Sequence, residues 1–285
     1  MSALDRRDVV VENDCEMGPK KGVSEALKLS EIGFSYGGDA PHLDVHVGFE
    51  TGCVTGIIGP NGSGKSTALK VASGLLKPQK GSVVVGGKNL SEMGSKARAR
   101  LLSYMPQTPV LSDSTVENFV LCGRYAHTKR FHSPGSLDYE IAHTSMRLAG
   151  VENLKNQSLK ELSGGQRQRA HIALMLAQEA DIMLLDEPLS ALDISACHEM
   201  MNLVSDVAHG HEKAVVVVVH DLDLALRYCD RILVMNEGKM VFDGAPSEVV
   251  QSGILRQVFK VETHPVETEF GVGYAFFTDV KTSRN

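Results

Sequence analysis

The sequence predicts an α/β fold built on a mostly parallel sheet. The apolar segments CVTGII (53–58), IMLL (182–185) and AVVVVV (214–219) are typical of buried strands, and each is followed by a loop and a helix-compatible run. The chain of 285 residues has 9 Phe, 6 Tyr and no Trp, so its core should be aliphatic, which suits parallel strands. We therefore expect a central sheet with helices packed on it.

The composition excludes several classes of protein. A formal net charge of −6 argues against nucleic-acid binding through overall positive charge, so no nucleic-acid partner is expected. The 5 cysteines are widely spaced without a C-x-x-C pair, which favours reduced thiols in the cytosol over disulfides or a zinc site. No apolar run approaches the roughly 20 residues of a membrane helix, and the first residues lack a signal-peptide core. A membrane would be reached through a partner protein.

The N-terminal part is predicted to be an extension followed by two antiparallel strands. Residues 1–24 are charged and aperiodic, which indicates a poorly ordered extension. EALKLSEIGFSYGG (25–38) and HLDVHVGFE (42–50) have the patterns of strands. Tyr36 at the end of the first strand could stack on a flat base or could pack on the sheet as an edge tyrosine.

GPNGSGKST (Gly59 to Thr67) separates the strand 53–58 from a helix-compatible run. Its glycines let backbone N–H groups converge on an anion, and the helix N-terminus adds free donors. Gly59, Gly64, Lys65 and Ser66 satisfy G-x-x-x-x-G-K-[ST], so Lys65 is expected to reach phosphates and Ser66 to bind Mg²⁺. The whole loop is expected to contact a polyphosphate, through Gly59, Pro60, Asn61, Gly62, Ser63, Gly64, Lys65, Ser66 and Thr67.

A helical insert, at about 108–165, is predicted after a short basic helix and a strand that ends at Pro106 and Gln107. Ser114 and Glu117 have capping-box spacing, and Gly150 should end a later helix. The insert carries a group of basic residues that could contact an acidic partner or lipid headgroups, or could form a solvated helix end and loop. They are Arg124, His127, Lys129, Arg130 and His132.

The last part of the chain contains three more candidate site segments. LSGGQRQR (162–169) places a Ser-Gly-Gly turn before a helix, which is a second place for an anion. Asp186 and Glu187 follow a buried strand, at the end where ligands gather in parallel sheets, and His220 follows the next strand. A hairpin should turn at Glu237-Gly238, and residues 261–285 should form a short, partly strand-like tail.

The order of these motifs resembles that of the ATP-binding-cassette (ABC) ATPases, from residue 25 to about 259. LSGGQ is the discriminating motif, because kinases, GTPases and RecA-like motors share a phosphate loop but lack this signature. The resemblance implies a P-loop NTPase with a RecA-like, mostly parallel core, an antiparallel β subdomain and an inserted helical subdomain. The cassette would span residues 25–260.

The resemblance also implies roles for residues around one nucleotide. Tyr36 is similar to the adenine-stacking aromatic, and 59–67 to the Walker A loop. Asp186 is similar to the Walker B aspartate that supports Mg²⁺ with Ser66, and Glu187 to the base that polarises water. Gln107 is similar to the Q-loop glutamine near Mg²⁺ and water, so the implied metal residues are Ser66, Gln107 and Asp186. The alternative for Glu187 is a carboxylate held in an ion pair.

Other roles implied by the resemblance concern the far side of the nucleotide. His220 is similar to the switch histidine that contacts the γ-phosphate; the alternative is a core histidine. SALD (190–193, ending at Asp193) is similar to the D-loop. Ser163, Gly164, Gly165 and Gln166 resemble the signature that caps ATP bound to an opposite subunit. ATP and Mg²⁺ are the implied ligands, and catalysis would depend on Glu187, His220, Lys65 and Gln107.

In this family two copies associate head to tail, so the resemblance implies a homodimer with composite sites. It also implies separate membrane permease subunits, an extracytoplasmic substrate-binding protein and a position at the cytoplasmic face of the membrane. GRYAH (123–127) and VVHDLDLALRYCD (218–230) resemble importers of iron chelates, haem and cobalamin. The alternatives are a soluble, non-transport ABC ATPase, such as an iron-sulfur assembly ATPase, or the ATPase of another transporter branch, such as an exporter.

Overall fold

The computed structural model describes residues 25–37, 43–108, 112–128, 132–190, 192–269 and 271–278. The predicted extension, 1–24, lies outside the described residues. The strands are β1 (Glu25–Phe34), β2 (Leu43–Glu50), β3 (Cys53–Ile58), β4 (Lys80–Val85), β5 (Lys88–Asn89), β6 (Leu102–Met105), β7 (Ile182–Asp186), β8 (Ala214–Val218), β9 (Arg231–Asn236), β10 (Lys239–Gly244), β11 (Val261–Thr268) and β12 (Gly271–Thr278). The α-helices are α1 (Lys65–Ala72), α2 (Ser95–Leu101), α3 (Val116–Leu121), α4 (Ser136–Leu148), α5 (Gly164–Ala177), α6 (Ile194–Gly210), α7 (Leu222–Tyr228), α8 (Pro246–Gln251) and α9 (Ile254–Phe259).

A 10-stranded sheet forms the centre, in the order β5-β4-β1-β2-β10-β9-β3-β8-β7-β6. The strands β9, β3, β8, β7 and β6 run parallel to one another. Of these, β3, β7 and β8 are the apolar segments that predicted a parallel sheet. At the other end, β1 pairs antiparallel with both β2 and β4. The carboxyl ends of β3, β6, β7 and β8 therefore lie at one edge of the parallel part.

The antiparallel strands are continuous with the parallel ones through a narrow junction. A single parallel pair, Lys239 with Asp44, joins β10 to β2. The Asp44 N–H donates to the Gly238 carbonyl at 2.8 Å, and this carbonyl belongs to the turn between β9 and β10. Glu237 and Gly238 both have positive φ, 48° and 77°, which is the backbone of a two-residue hairpin turn. The predicted hairpin is confirmed.

Apolar side chains from the parallel strands fill both faces of the sheet. In β8, Val216 and Val218 pack in the core cluster that contains α1, whereas Val215 and Val217 pack in the cluster that contains α6 and α7. A strand that is buried on both faces needs apolar residues at every position. This explains why the AVVVVV segment is continuous instead of alternating.

The helical insert has a core of its own. Val116 and Val120 of α3 pack with Met146 of α4 and with Ala170 and Ala173 of α5. The helix α5 therefore belongs both to this core and, through its other face, to the sheet. The limits of the insert and of the cassette stay predictions.

Helix α3 begins one residue later than the predicted capping box implied. Thr115 is the N-cap, and its hydroxyl accepts a hydrogen bond from the Asn118 N–H at 3.3 Å. Ser114 instead bonds through its backbone to Leu159. The prediction that Gly150 ends α4 is confirmed, because the chain turns there with φ of +70°.

The C-terminal segment has the strand character that was predicted for part of the tail, and its two strands pair as a hairpin. The strands β11 and β12 form a separate two-stranded antiparallel sheet with a continuous register from Val261–Thr278 to Thr268–Gly271. Tyr274 and Phe276 pack against the core cluster that contains α7 and α9. None of the helices in the described part of the chain has both the length and the apolar character needed to cross a bilayer.

Candidate functional site

The glycine-rich loop lies between the end of β3 and the start of α1, as predicted. A Cβ at Gly59 would collide with the Met235 carbonyl and would lie 2.7 Å from Ser63 Oγ, so only glycine fits there. Gly62 and Gly64 have φ of 79° and 100°. Ser63 is buried, whereas Asn61 and Gly62 are exposed at the tip of the loop and Pro60 is half-buried.

Lys65 points into this loop. Its side chain is only 4% exposed, and its ammonium donates to the carbonyls of Gly59 at 2.8 Å and Pro60 at 3.0 Å. Burial lowers the pKa of Lys65, and the nearby charges of Glu187 and Asp186 oppose that shift. A positive charge is thus held within the loop, where an anion would lie.

Asp186, at the end of β7, is 1% exposed and accepts one hydrogen bond at each oxygen. The Ser66 hydroxyl donates to its Oδ1 at 2.8 Å, and the Tyr104 hydroxyl donates to its Oδ2 at 3.1 Å. Burial and the adjacent Asp186 carboxylate raise the pKa of Tyr104, so this hydroxyl stays a donor. The sequence reasoning missed Tyr104; its position three residues before Gln107, on a strand beside β7, was the available signal.

Glu187 is held between two other predicted site residues. Gln107 Nε2 donates to its Oε2 at 2.7 Å, and His220 Nε2 lies 2.6 Å from its Oε1. The Glu187 side chain is 13% exposed and that of His220 is 45% exposed, so His220 is not a core histidine. Glu187 has φ of 55°, an uncommon backbone for a non-glycine residue that occurs more often at functional sites.

Tyr36 stands at the rim of the loop. It is 68% exposed and meets Phe34 edge-on at 5.0 Å between ring centroids. Its hydroxyl is 3.5 Å from the hydroxyl of Thr67 in α1. The ring is therefore open to solvent beside the loop and is not packed into the sheet.

The signature segment forms the start of α5. Ser163 is the N-cap: its hydroxyl accepts from the Gln166 N–H at 3.3 Å, and its own N–H donates to Gln166 Oε1 at 2.9 Å. Ser163, Gly164 and Gln166 are exposed. A Cβ at Gly165 would lie 3.1 Å from Leu192, which is in the segment before α6.

The predicted D-loop contacts the signature helix. Gln168 Nε2 donates to the Ser190 carbonyl at 2.8 Å. Asp193 is the N-cap of α6 and accepts from the Ala196 N–H at 2.8 Å. Ala191 lies outside the described residues.

Comparison with known proteins agrees with this geometry. The family model described as ABC transporter matches residues 43–190. The chain belongs to the ABC transporter family. It is 38% identical over 234 residues to the ferric enterobactin transport ATP-binding protein FepC of Escherichia coli, which covers 82% of this chain and 86% of that protein.

A second relative is longer. The chain is 38% identical over 217 residues to the cobalamin import ATP-binding protein BtuD of Halobacterium salinarum, which covers 76% of this chain but 54% of that protein. The chain therefore matches about half the length of that relative. A solved dimeric ATP-binding cassette bound to ADP and phosphate is 28% identical, with a TM-score of 0.66 over 77% of this chain and 98% of that chain. The ABC cassette fold follows.

The ABC cassette has oxygen donors suited to a hard cation. The Ser66 hydroxyl and the Asp186 carboxylate are adjacent, and Mg²⁺ is usually held by one or two protein oxygens together with substrate phosphates and water. Across the described ranges, no group of three or more His, Cys, Asp or Glu side chains is arranged to hold a metal ion. The Ser66–Asp186 pair fits a cation whose remaining ligands are nucleotide phosphates and water.

Two of the five basic residues predicted at the surface of the insert, Arg124 and His127, instead bind carbonyls at the end of α5, whereas His132 is exposed. Arg124 is 4% exposed and pairs with Asp138 at 3.1 Å and with Glu179 at 2.7 Å. It also donates to the Ala177 carbonyl at the end of α5, at 2.7 Å. His127 is bonded to the Gln178 carbonyl at 2.9 Å. Arg124 and His127 thus join the insert to the end of α5. Lys129 and Arg130 lie outside the described residues.

Proposed function

We propose that this cassette binds ATP with Mg²⁺ at residues 59–67 and hydrolyses it with Glu187 as the base. The observation that carries the proposal is the position of Glu187 between Gln107 and His220, next to the Asp186–Ser66 pair. Lys65 supplies positive charge inside the loop, and Tyr36 offers an open ring at its rim for the adenine.

The chemistry is the transfer of a phosphoryl group to water. Glu187 orients a water molecule and takes its proton as the water oxygen bonds to the γ-phosphorus and the bond to the bridging oxygen of ADP breaks. Gln107 and His220 each hold one Glu187 oxygen, so the carboxylate keeps one orientation. Bound Mg²⁺ would neutralise phosphate charge beside Ser66 and Asp186. Lys65 stabilises the charge that develops on the phosphoryl oxygens.

The second part of the proposal is a head-to-tail homodimer. Ser163 and Gln166 hydrogen-bond to each other at the start of α5 and remain exposed. The N–H groups of Gly164 and Gly165 come before Gln166 in the first turn, where a helix can meet an anion. The solved dimeric relative supports the association of two cassettes. We infer that each signature segment caps the ATP bound at the phosphate loop of the second copy.

The dimer can be tested in a chain that binds ATP but turns it over slowly. We expect Glu187→Gln to become dimeric when ATP is added, as measured by size-exclusion chromatography with light scattering. Adding Ser163→Arg should keep the chain monomeric with unchanged affinity for ATP, whereas Ser136→Arg, at an exposed serine that begins α4, should leave the dimer intact. A dimer that forms equally well with Ser163→Arg would disprove the composite site.

The third part of the proposal concerns transport. The relatives named above serve import of ferric enterobactin and of cobalamin, and this supports a cargo of the metal-chelate class for the present cassette. We infer that the dimer binds permease subunits at the cytoplasmic face of the membrane, and that an extracytoplasmic binding protein delivers the cargo. ATP binding and hydrolysis would close and open the dimer.

Purification of the tagged chain from detergent-solubilised membranes tests this part. A bound protein with several membrane spans would support a transporter. Recovery of the chain without one, as an active soluble ATPase, would favour the non-transport alternative. Uptake of labelled ferric chelate or cobalamin by cells with the wild-type chain or Glu187→Gln then identifies the cargo class.

A further inference from the structure

We propose that Tyr104 is a positioning residue for Mg²⁺-dependent nucleotide binding, acting through Asp186. The proposal rests on the proposed function, because it concerns the same site. Its observation is the hydrogen bond from the Tyr104 hydroxyl to Asp186 Oδ2, at 3.1 Å. Neither the phosphate loop nor the signature contains this residue.

The sheet places Tyr104 where it can reach the carboxylate. The strands β6 and β7 are parallel neighbours, and Tyr104 pairs with Leu184, two residues before Asp186. Because side chains of residues i and i+2 lie on one face of a strand, Tyr104 and Asp186 share a face of the sheet. The tyrosine side chain is long enough to bridge to the next strand and half-buried along its length.

The two hydroxyl groups together fix the plane of the carboxylate. Ser66 occupies Oδ1 and Tyr104 occupies Oδ2, so rotation about the Cβ–Cγ bond would break both hydrogen bonds. Asp186 is 1% exposed, so water has little access to replace a lost donor. The Tyr104 hydroxyl therefore keeps Oδ1 directed at Ser66, where the cation is expected to bind.

Strand β6 and the segment that follows it contact both carboxylates at and just after the end of β7. Tyr104 contacts Asp186, and Gln107, three residues later, contacts Glu187. The two contacts should have separable effects, because one carboxylate faces the metal and the other faces the attacking water. Loss of the Tyr104 hydroxyl should change the requirement for Mg²⁺, whereas loss of the Gln107 amide should change the rate of the chemical step.

The experiment uses Tyr104→Phe, which removes one oxygen and keeps the ring. Affinity for a fluorescent ADP analogue is measured with Mg²⁺ and with chelator, and Mn²⁺ binding in the presence of ADP is followed by electron paramagnetic resonance. We expect the metal-free affinity to stay within about twofold and the metal concentration for half-maximal binding to rise roughly 10-fold, as for other residues that orient a metal ligand.

Two further variants serve as controls. Tyr228→Phe removes another half-buried hydroxyl, which is 2.8 Å from His198 Nδ1, and should not change the Mg²⁺ requirement. Mg²⁺ should no longer raise the nucleotide affinity of Asp186→Asn. The double variant Asp186→Asn with Tyr104→Phe should have the same nucleotide affinity as Asp186→Asn alone. Thermal unfolding of each variant without metal reports on the fold itself.

The outcomes separate this inference from the function on which it rests. An unchanged Mg²⁺ requirement in Tyr104→Phe, or an equal loss of affinity with and without metal, would overturn the role of Tyr104 alone. A further loss of affinity when Tyr104→Phe is added to Asp186→Asn would also overturn it. A wild-type chain whose nucleotide affinity does not depend on Mg²⁺ would overturn the proposed site as well.

Discussion

The phosphate-loop region and the signature region differ in how their functional groups are held. In the first, Lys65 and Asp186 are 4% and 1% exposed. Two loop carbonyls hold Lys65, and contacts from β6 and α1 hold Asp186. In the second, Ser163 and Gln166 are exposed and their hydrogen bonds run to each other. Both regions lie at the start of a helix, yet only one has the surroundings of an interior site.

This difference indicates which half of the site one chain can complete. Buried, hydrogen-bonded groups are preorganised, so the phosphate-loop region needs no partner to hold a nucleotide. The signature helix presents glycine N–H groups at an exposed start, and its capping box keeps that start folded without a ligand. A single chain should therefore bind ATP, and hydrolysis should need a second chain.

The largest expected effect comes from Glu187→Gln. Loss of the base should lower the rate of ATP hydrolysis about 100- to 1000-fold, while ATP affinity stays within a few fold. Steady-state phosphate release and equilibrium nucleotide binding measure the two effects. Gln107 and His220 keep hydrogen-bonding partners in the variant, so the fold should be unaffected. Near wild-type hydrolysis would remove Glu187 from the role of base.

Lys65→Ala should have the second largest effect. It changes the ATP affinity of a single chain. Removing a charged donor from the loop should weaken ATP affinity by roughly 30- to 100-fold, and by equal amounts in dilute and concentrated protein. Isothermal titration at two protein concentrations is the measurement. Unchanged ATP affinity would show that the loop backbone and Ser66 bind ATP without Lys65. The buried charge of Lys65 would then not distinguish the phosphate-loop region from the signature region in nucleotide binding.

The sequence predicted the parallel strands, the loop and the places of Glu187 and His220 at strand ends, because strand ends in a parallel sheet share an edge. The role of Gln107 was implied only by the family resemblance. The sequence did not predict the role of Tyr104. A tyrosine in a strand fits the same sequence pattern whether its ring only packs or its hydroxyl donates a hydrogen bond to a site residue. The sequence also misplaced Arg124: a basic residue in a short insert helix suggested a surface, but long-range pairing with Asp138 and Glu179 buries it.

The C-terminal hairpin shows a similar limit. The segment 261–278 has few strong periodic signals, and its strands are stabilised by each other and by packing of Tyr274 and Phe276 on the core. Pairing between distant positions such as Val261 and Thr278 follows from tertiary context instead of local propensity.

Ser163→Ala tests the signature region with a smaller effect. Loss of the N-cap should cost about 1 kcal/mol of stability, measured by urea unfolding. Thr115→Ala removes the N-cap of α3 and should cost a similar amount, so it is the matched control. Only Ser163→Ala should also lower ATPase activity at protein concentrations where dimers form. Equal activity in the two variants would mean that Ser163 serves α5 alone.

The smallest expected effect concerns the far end of the signature helix, where Arg124 joins Ala177 to Asp138. The Gly135 N–H, and then Arg124, lower the pKa of Asp138 from its ordinary value of 3.8. A depressed folded-state pKa contributes stability above the unfolded value, and this stability is lost as pH falls below 3.8 through the folded value.

Asp138→Asn should therefore be less stable than wild type at neutral pH, by less than about 1 kcal/mol, since Asn keeps an acceptor for the Gly135 N–H. The difference in urea midpoint should shrink as pH falls below 3.8, because the wild-type carboxyl then becomes neutral. Glu140→Gln, an exposed change on the same helix, is the control. If wild type and Asp138→Asn still differed in urea midpoint in acid, the charge of Asp138 would not be what stabilises the contact with Arg124. Packing alone would then hold that end of the signature helix.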